Sequence, residues 1–394
     1  MKEICFIIPP QLPYPPVRGG AVETLLDLFI KMNEINKKYS ITVFSVYDEK
    51  AEKESKKLKY TNVKYIAFSE NDKTKYLLCN KIQKILNCRL SFLDTYASKI
   101  CKHFHAGYDP EICIIEGGGY REYIKISKFI GKNKMVIHCH GVSTPKYNSN
   151  KIYGTHIFVS TCASEFWQKK IKCNSYILKN AVDENKFQED MTDERRLLMR
   201  KQLNYSDEDF VVLFCGRLVE IKGVLELIQA INEIEDKHIK LLIVGSSNFE
   251  GAEITDYQKK LKEHISEKIQ FTGYIENNKL PDIYKLSDIV VSPSICNEAA
   301  SLVNIEAMMS GCGLITTNVG GNPEYVNREG NSLIEYEGDK RKLIEALKDK
   351  IIEYYHNQKG LCDIKKSNVS YAKRFYKEKY YDNYSKIIDE IIGN

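Results

Sequence analysis

Two carboxylates eight positions apart, Glu298 and Glu306, stand on either side of Ser301 in the stretch from Cys296 to Val326, and a Gly-Gly-x-Pro-Glu turn, Gly320 to Glu324, closes it. Ser301 is a helix-starting residue, so the stretch reads as a helix N-terminus flanked by two acids, followed by an apolar strand. Backbone N–H groups at such an end take phosphate, and carboxylates take sugar hydroxyls. A ligand anionic at one end and rich in hydroxyls at the other, such as a nucleotide-sugar, suits that arrangement. The same spacing also fits an amphipathic helix with a surface glutamate at each end.

A second cluster lies in FVVLFCGRLVEIKG, Phe210 to Gly223. An apolar strand runs out at Cys215, Gly216 lets the backbone turn, and Arg217 and Lys222 flank a loop entering a helix. Ligands of open α/β sheets bind beyond the carboxyl ends of strands. Two cations and a helix N-terminus there neutralise a diphosphate without a metal; ordinary surface charges on a βα loop fit as well. In the first half, Gly19 and Gly20 stand directly before a helix, where glycine permits close backbone approach and φ > 0. This is not GxGxxG, and the acid after the second strand, Asp48, comes about 28 residues on, which argues against a dinucleotide site. His138 and His140 alternate along one strand and share a face, but no third ligand is apparent, so no metal is assigned. Asp207-Glu208-Asp209 precedes a strand instead of following one and reads as a solvated turn.

These residues need a scaffold. The 394 residues call for two domains, since single cores rarely grow past about 250–300 residues. Apolar runs predict strands at 3–8, 41–46, 63–68, 111–116, 135–140, 156–160 and 175–178, with helices over 21–37, 76–105, 119–131 and 162–171. Residues 184–208 are polar and break the pattern. Alternation restarts with strands at 209–216, 240–245, 268–274, 288–294, 313–318 and 333–336, and helices near 223–236, 253–266, 279–286 and 340–357. One long helix over 364–392 ends the chain. Strands alternating with helices through short turns mean parallel sheets covered on both faces, two doubly wound α/β halves.

Composition supports a globular enzyme, with 43% hydrophobic and 28% charged residues, and no apolar run spans a bilayer. The start, MKEICFIIPP, reads as a first strand and not as an export signal. Its twelve cysteines lack metal-type spacing and are expected as reduced thiols in a cytoplasmic protein. Net charge is +5, yet residues 50–105 alone hold 13 Lys/Arg against 5 Asp/Glu. That basic stretch, with Leu and Ile at helical spacing over 75–105, fits either a membrane interface or packing on the first sheet. Without a basic stripe across both halves, nucleic acid is not an expected partner.

In order along the chain, the Gly19-Gly20 loop, HCHG, KNAVDENKF (179–187), GRLVEIKG (216–223), LIVG (242–245), FTGYI (271–275), the Glu298/Glu306 pair and GGNPEYV (320–326) resemble glycosyltransferase family 4, the retaining enzymes of the GT-B fold. The resemblance implies two Rossmann-like domains facing a central crevice: 1–185 for the acceptor, 186–372 for the nucleotide-sugar donor, and 373–394 as a helix packing back on the first. Arg217 and Lys222 would grip the donor diphosphate, with Gly216 and the loop glycines Gly19 and Gly20 beside it. Glu306 would bond the ribose and Glu298 the donor sugar. The amides of Ser301, Leu302 and Val303 would meet phosphate, and Gly273, Tyr274 and Ile275 would lie against the base. His140 matches the family's histidine near the reacting sugar, and Asn180 and Asp183 match its NGxD stretch. Two departures stand out: Ala300-Ser301 where many members have Phe-Gly, and Ala181 where a glycine is usual.

The activity so implied is transfer of a hexosyl group from a nucleotide-diphosphate sugar, UDP-sugar first among them, with retention and with Glu298, His140, Arg217 and Lys222 as catalytic residues. No side chain suits a covalent nucleophile, so the resemblance implies front-face attack, a donor phosphate oxygen taking the acceptor's proton. No cofactor and no metal are expected. The acceptor is expected to be a glycan or lipid-linked glycan of bacterial cell-surface synthesis, met at the inner face of the plasma membrane. The same fold also serves sugar-nucleotide epimerases and inactive partner subunits. A nicotinamide oxidoreductase is the alternative from another class.

Overall fold

Each of the thirteen expected strands forms. In the computed structural model, residues 1–69, 72, 74, 95–117, 123–142, 148–187, 191–245 and 255–393 are described, and the chain divides into two units: Met1–Asn180 with Lys377–Asn394, and Ala181–Tyr376. In the first, β1 (Lys2–Ile7), β2 (Tyr39–Val46), β3 (Thr61–Ile66), β4 (Ile112–Glu116), β5 (Met135–Cys139), β6 (Thr155–Phe158) and β7 (Asn174–Ile177) form a parallel sheet in the order β3-β2-β1-β4-β5-β6-β7. Every residue of β4 and β5 is buried, as expected where helices cover both faces of a parallel sheet.

The second unit repeats the plan with β8 (Phe210–Cys215), β9 (Ile239–Val244), β10 (Ile269–Gly273), β11 (Ile289–Ser292), β12 (Gly313–Thr317) and β13 (Ser332–Ile334), ordered β10-β9-β8-β11-β12-β13 and again parallel. Side chains alternate across it. Phe210, Val212 and Phe214 join one core cluster, while Val211 and Leu213 join the other. The strand order reverses between β8 and β11, so the loops leaving their carboxyl ends flank the position where such sheets bind ligands.

Three expectations need correction. The single helix over 364–392 is two, Gln358–Ala372 and Lys377–Gly393, with a 3-10 turn at Lys373–Phe375 between them. Buried Phe375 stacks on Tyr325 at 5.5 Å, and Tyr376 turns extended to pair with Val182, which ends the first helix. That first helix lies in the second unit; the other, Lys377–Gly393, lies in the first unit and contacts the helix Ala21–Asn36. The polar stretch 184–208, which breaks the alternation in the sequence, lies inside the second unit and carries a helix, Asp193–Gln202. That helix has no apolar stripe because its anchor is a charge. Buried Arg200 donates to the carbonyls of Leu286 and Asp209 at 3.0 and 2.9 Å and to Asp288 at 2.7 Å. Thirdly, a short helix at Glu49–Ser55, capped by Asp48, stands where none was expected. Of the basic region 75–105, the helix Thr95–His105 is described, and residues 75–94 lie outside the described residues. Among the described residues no helix is long and apolar enough to cross a membrane.

Candidate functional site

At the carboxyl end of the second sheet the backbone is packed so tightly that side chains are excluded. A Cβ on Gly245, where φ is +136°, would lie 1.9 Å from the carbonyl oxygen of Gly216, and the Gly245 N–H donates to Gly273 at 2.8 Å. Three strand ends therefore meet through glycine, leaving the loops beyond them to carry the chemistry. Exposed Arg217 follows Gly216, and Lys222 closes the short turn Glu220–Lys222 before the helix Val224–Asn232.

Glu298 lies in the loop after β11, not inside the helix. Its Oε1 accepts from Lys222 Nζ and, at 2.6 Å, from Ser294 Oγ. Its own carbonyl accepts the Gly321 N–H at 2.6 Å. Burial and then Glu298 push the Cys296 thiol up, while Lys222 and Arg217 draw it back, so both cations lie within electrostatic reach of this loop. Ser301 takes the N-cap position of the helix Leu302–Met309 without a side-chain capping bond, and Leu302 and Val303 follow in its first turn. Glu306 sits in the second turn; its Oε2 accepts the hydroxyl of fully buried Tyr284 at 2.7 Å. Burial raises the Glu306 carboxyl, against the pull of Tyr284 and of Lys186. After β10 come half-buried Ile275 and exposed Tyr274.

The first unit holds the other expected residues. Gly19 and Gly20 adopt φ of +74° and +107°, and Gly20 caps the helix Ala21–Asn36 with the Glu23 carboxylate folded against it. Burial raises Glu23. His140, just past β5, directs Nε2 to Glu116 Oε2 at 2.7 Å, and His138 Nδ1 stands 2.9 Å from the same oxygen. The third ligand-type group that the histidine pair lacked in the sequence is thus Glu116, with all three ligand atoms within 4.8 Å. Asn180 is buried at the end of this unit, and Asp183, in the second, caps the turn Glu184–Lys186. Asp207 and Glu208 are exposed, while Asp209 is buried and accepts the Ser206 N–H at 2.7 Å, a structural turn.

Sequence reasoning missed four partners: Ser294, Tyr284, Glu116 and Tyr384. Ser294 was the one within reach, being four residues before Glu298 in a loop already under suspicion. The others lie 22, 24 and 268 positions from the residues they hold.

Residues 196–375 match the family model described as Glycosyl transferases group 1. Spore coat protein SA of Bacillus subtilis (strain 168) is 26% identical over 372 residues, which cover 86% of this chain and 87% of that protein. Lipopolysaccharide 1,2-N-acetylglucosaminetransferase of Salmonella typhimurium is 25% identical over 337 residues, 83% of each chain. Anabaena Alr3699/HepE, solved in complex with UDP, superposes with a TM-score of 0.74 at 19% identity, covering 99% of this chain and 100% of its own. The fold is GT-B, with two Rossmann-like parallel sheets. The family match and these relatives support a glycosyltransferase.

Proposed function

We propose that this chain is a retaining hexosyltransferase of glycosyltransferase family 4 that uses a UDP-sugar and a glycan or lipid-linked acceptor. The observation that carries the reading is the node at Glu298, where Lys222 and Ser294 hold the carboxylate and Gly321 holds the backbone carbonyl, at the switch point of the second sheet. A half-buried carboxylate and a cation that already pair are poised to exchange partners, Lys222 going to the diphosphate and Glu298 to sugar hydroxyls. Arg217 joins Lys222 on the phosphates, and the amides of Ser301, Leu302 and Val303 complete the anion site. Glu306 takes the ribose hydroxyls, while Gly273, Tyr274 and Ile275 face the base. In the first unit, Gly19, Gly20 and His140 serve the reacting sugar and the acceptor.

As the anomeric bond breaks, negative charge grows on the leaving diphosphate. Arg217, Lys222 and the helix amides stabilise it electrostatically, usually the largest catalytic term. Two cations and a helix end suffice for that charge, so the reaction proceeds without a metal or cofactor. Retention follows front-face attack, with a donor phosphate oxygen taking the acceptor's proton. The basic stretch 75–105 supports a setting at the inner face of the plasma membrane, in cell-surface polysaccharide synthesis. Charge reversal at Lys81, Lys84 and Arg89 is then expected to abolish pelleting with anionic liposomes, and unchanged pelleting removes the membrane from the proposal.

The test of the site is the melting temperature with UDP, GDP, dTDP and ADP in EDTA, for wild type, Arg217→Ala and Glu306→Ala. UDP alone should raise it, and neither variant should respond. No response to any of the four overturns the donor site and leaves an inactive partner subunit. A donor isomerised without any acceptor identifies an epimerase.

A further inference from the structure

The first unit buries a carboxylate between a tyrosine hydroxyl and two imidazoles. Glu116 ends β4 at 2% exposure. Its Oε1 accepts the Tyr384 hydroxyl at 2.9 Å, from the helix Lys377–Gly393, and its Oε2 takes His140 Nε2 at 2.7 Å, with His138 Nδ1 at 2.9 Å. Register explains the convergence, because Glu116 and His138 are partners across β4 and β5. Burial would raise this carboxyl, but the imidazoles of His138 and then His140 outweigh it and hold Glu116 ionised. An ionised acceptor on Nε2 settles the His140 tautomer, with the proton on Nε2 and the lone pair on Nδ1. Nδ1 is buried and has no hydrogen-bond partner among the described residues. Burial, and then His138, push His140 down against Glu116 and Glu23, which favours the neutral ring.

We propose that Glu116 is a positioning residue: it fixes His140 as the Nε2–H tautomer, so that Nδ1 is kept as an acceptor for a hydroxyl of the reacting sugar, and Tyr384 braces Glu116 from the last helix. This rests on the reading that His140 serves that sugar. A buried acceptor without a partner is costly, and a substrate hydroxyl is the group that satisfies it. With Glu116→Gln the amide N–H₂ competes to donate to Nε2, which moves the ring proton to Nδ1 and turns the acceptor into a donor. Tyr384 also packs edge-on and tilted against Phe6 and Phe29 at 6.1 and 4.8 Å, so Tyr384→Phe removes only the hydroxyl.

Long-range ¹⁵N–¹H spectra of the full chain decide the matter, with His140 assigned through His140→Gln. The expected result is a neutral Nε2–H ring at pH 7 in wild type, a shift toward Nδ1–H in Glu116→Gln, and a smaller perturbation in Tyr384→Phe. With UDP-glucose as probe, kcat for UDP release should fall about 10-fold or more in Glu116→Gln with KM nearly unchanged, the scale of one hydrogen bond lost from a transition state. An Nδ1–H or charged His140 in wild type, or the same tautomer in Glu116→Gln, overturns the proposal. So does one equivalent of Zn²⁺ bound by wild type and not by Glu116→Gln, which would make the trio a metal site. Should wild type release no UDP, the transferase reading fails while the spectra still judge the anchor.

Discussion

Gly320→Ala should damage the donor site out of proportion to the size of a methyl group. At φ +62° the new Cβ would stand 2.1 Å from the carbonyl oxygen of Glu298 and 2.6 Å from its nitrogen. Neither atom is the end of a flexible side chain, so two backbones must separate by about 1 Å before the contact becomes tolerable. The left-handed conformation costs alanine about 1–2 kcal/mol. Breaking the Gly321 N–H bond to Glu298, 2.6 Å long, costs about 1 kcal/mol more. The second unit should therefore lose about 2–3 kcal/mol, and a carboxylate moved by about 1 Å should lose on the order of 10²-fold in turnover.

Gly338→Ala is the internal control, since φ is +98° there and nothing lies within 4 Å of its Cβ. It carries the backbone penalty without the collision. Urea unfolding followed by circular dichroism, together with UDP release from UDP-glucose, separates the two effects. Gly338→Ala should lose stability and keep turnover, whereas Gly320→Ala should lose both. If the two variants behave alike in both assays, close approach to Glu298 does not set the site's geometry.

Three further outcomes follow from buried charge. Tyr284→Phe removes the hydroxyl on Glu306 and lets burial raise that carboxyl further, so UDP affinity by calorimetry should fall about 10–100-fold. The loss should be larger at pH 6 than at pH 8, because a protonated Glu306 accepts less well from ribose; an equal loss at both would sink the assignment. Arg200→Met leaves Asp288 and the carbonyls of Leu286 and Asp209 short of a guanidinium, and urea titration should show about 3–5 kcal/mol lost. Burial pushes His156 down to about 4, so the native state binds fewer protons than the unfolded chain between there and the ordinary histidine range. Its contribution, up to about 3 kcal/mol, is present above pH 6.5 and lost as pH falls toward 4. Trp167, the single tryptophan of the chain, has its ring 5.7 Å from His156 and reports the change by fluorescence; His156→Asn should flatten the acid slope.

Local pattern carried the strands because a parallel strand buried on both faces needs a near-continuous apolar run, as in FVVLFC. It failed where burial is ionic. The helix Asp193–Gln202 buries only Arg200, so no 3.6-residue stripe of apolar side chains announces it. The last two helices merged into one in the sequence because Lys373–Phe375 contains neither Gly nor Pro. What breaks them is tertiary: Phe375 is pulled onto Tyr325, and Tyr376 pairs with Val182.

The site divides along the same line. Arg217, Lys222 and Glu298 could be proposed because loop position after a strand is a local property, and Glu306 because its helix starts from such a loop. Their partners, Ser294 apart, could not, because partnership is set by register and packing. Tyr284 meets Glu306 because the helices Leu280–Leu286 and Leu302–Met309 pack together, and no spacing along the chain encodes that contact. The histidine pair is the sharpest instance. Alternation put His138 and His140 on one face, but whether they faced a metal, a proton or a substrate depended on the residue across the ladder. That residue is Glu116, delivered by a pairing between strands 22 positions apart, with Tyr384 added from 268 positions away. A carboxylate there turns two histidines that share a face into one oriented imidazole, and this difference, invisible to periodicity, is what Glu116→Gln measures.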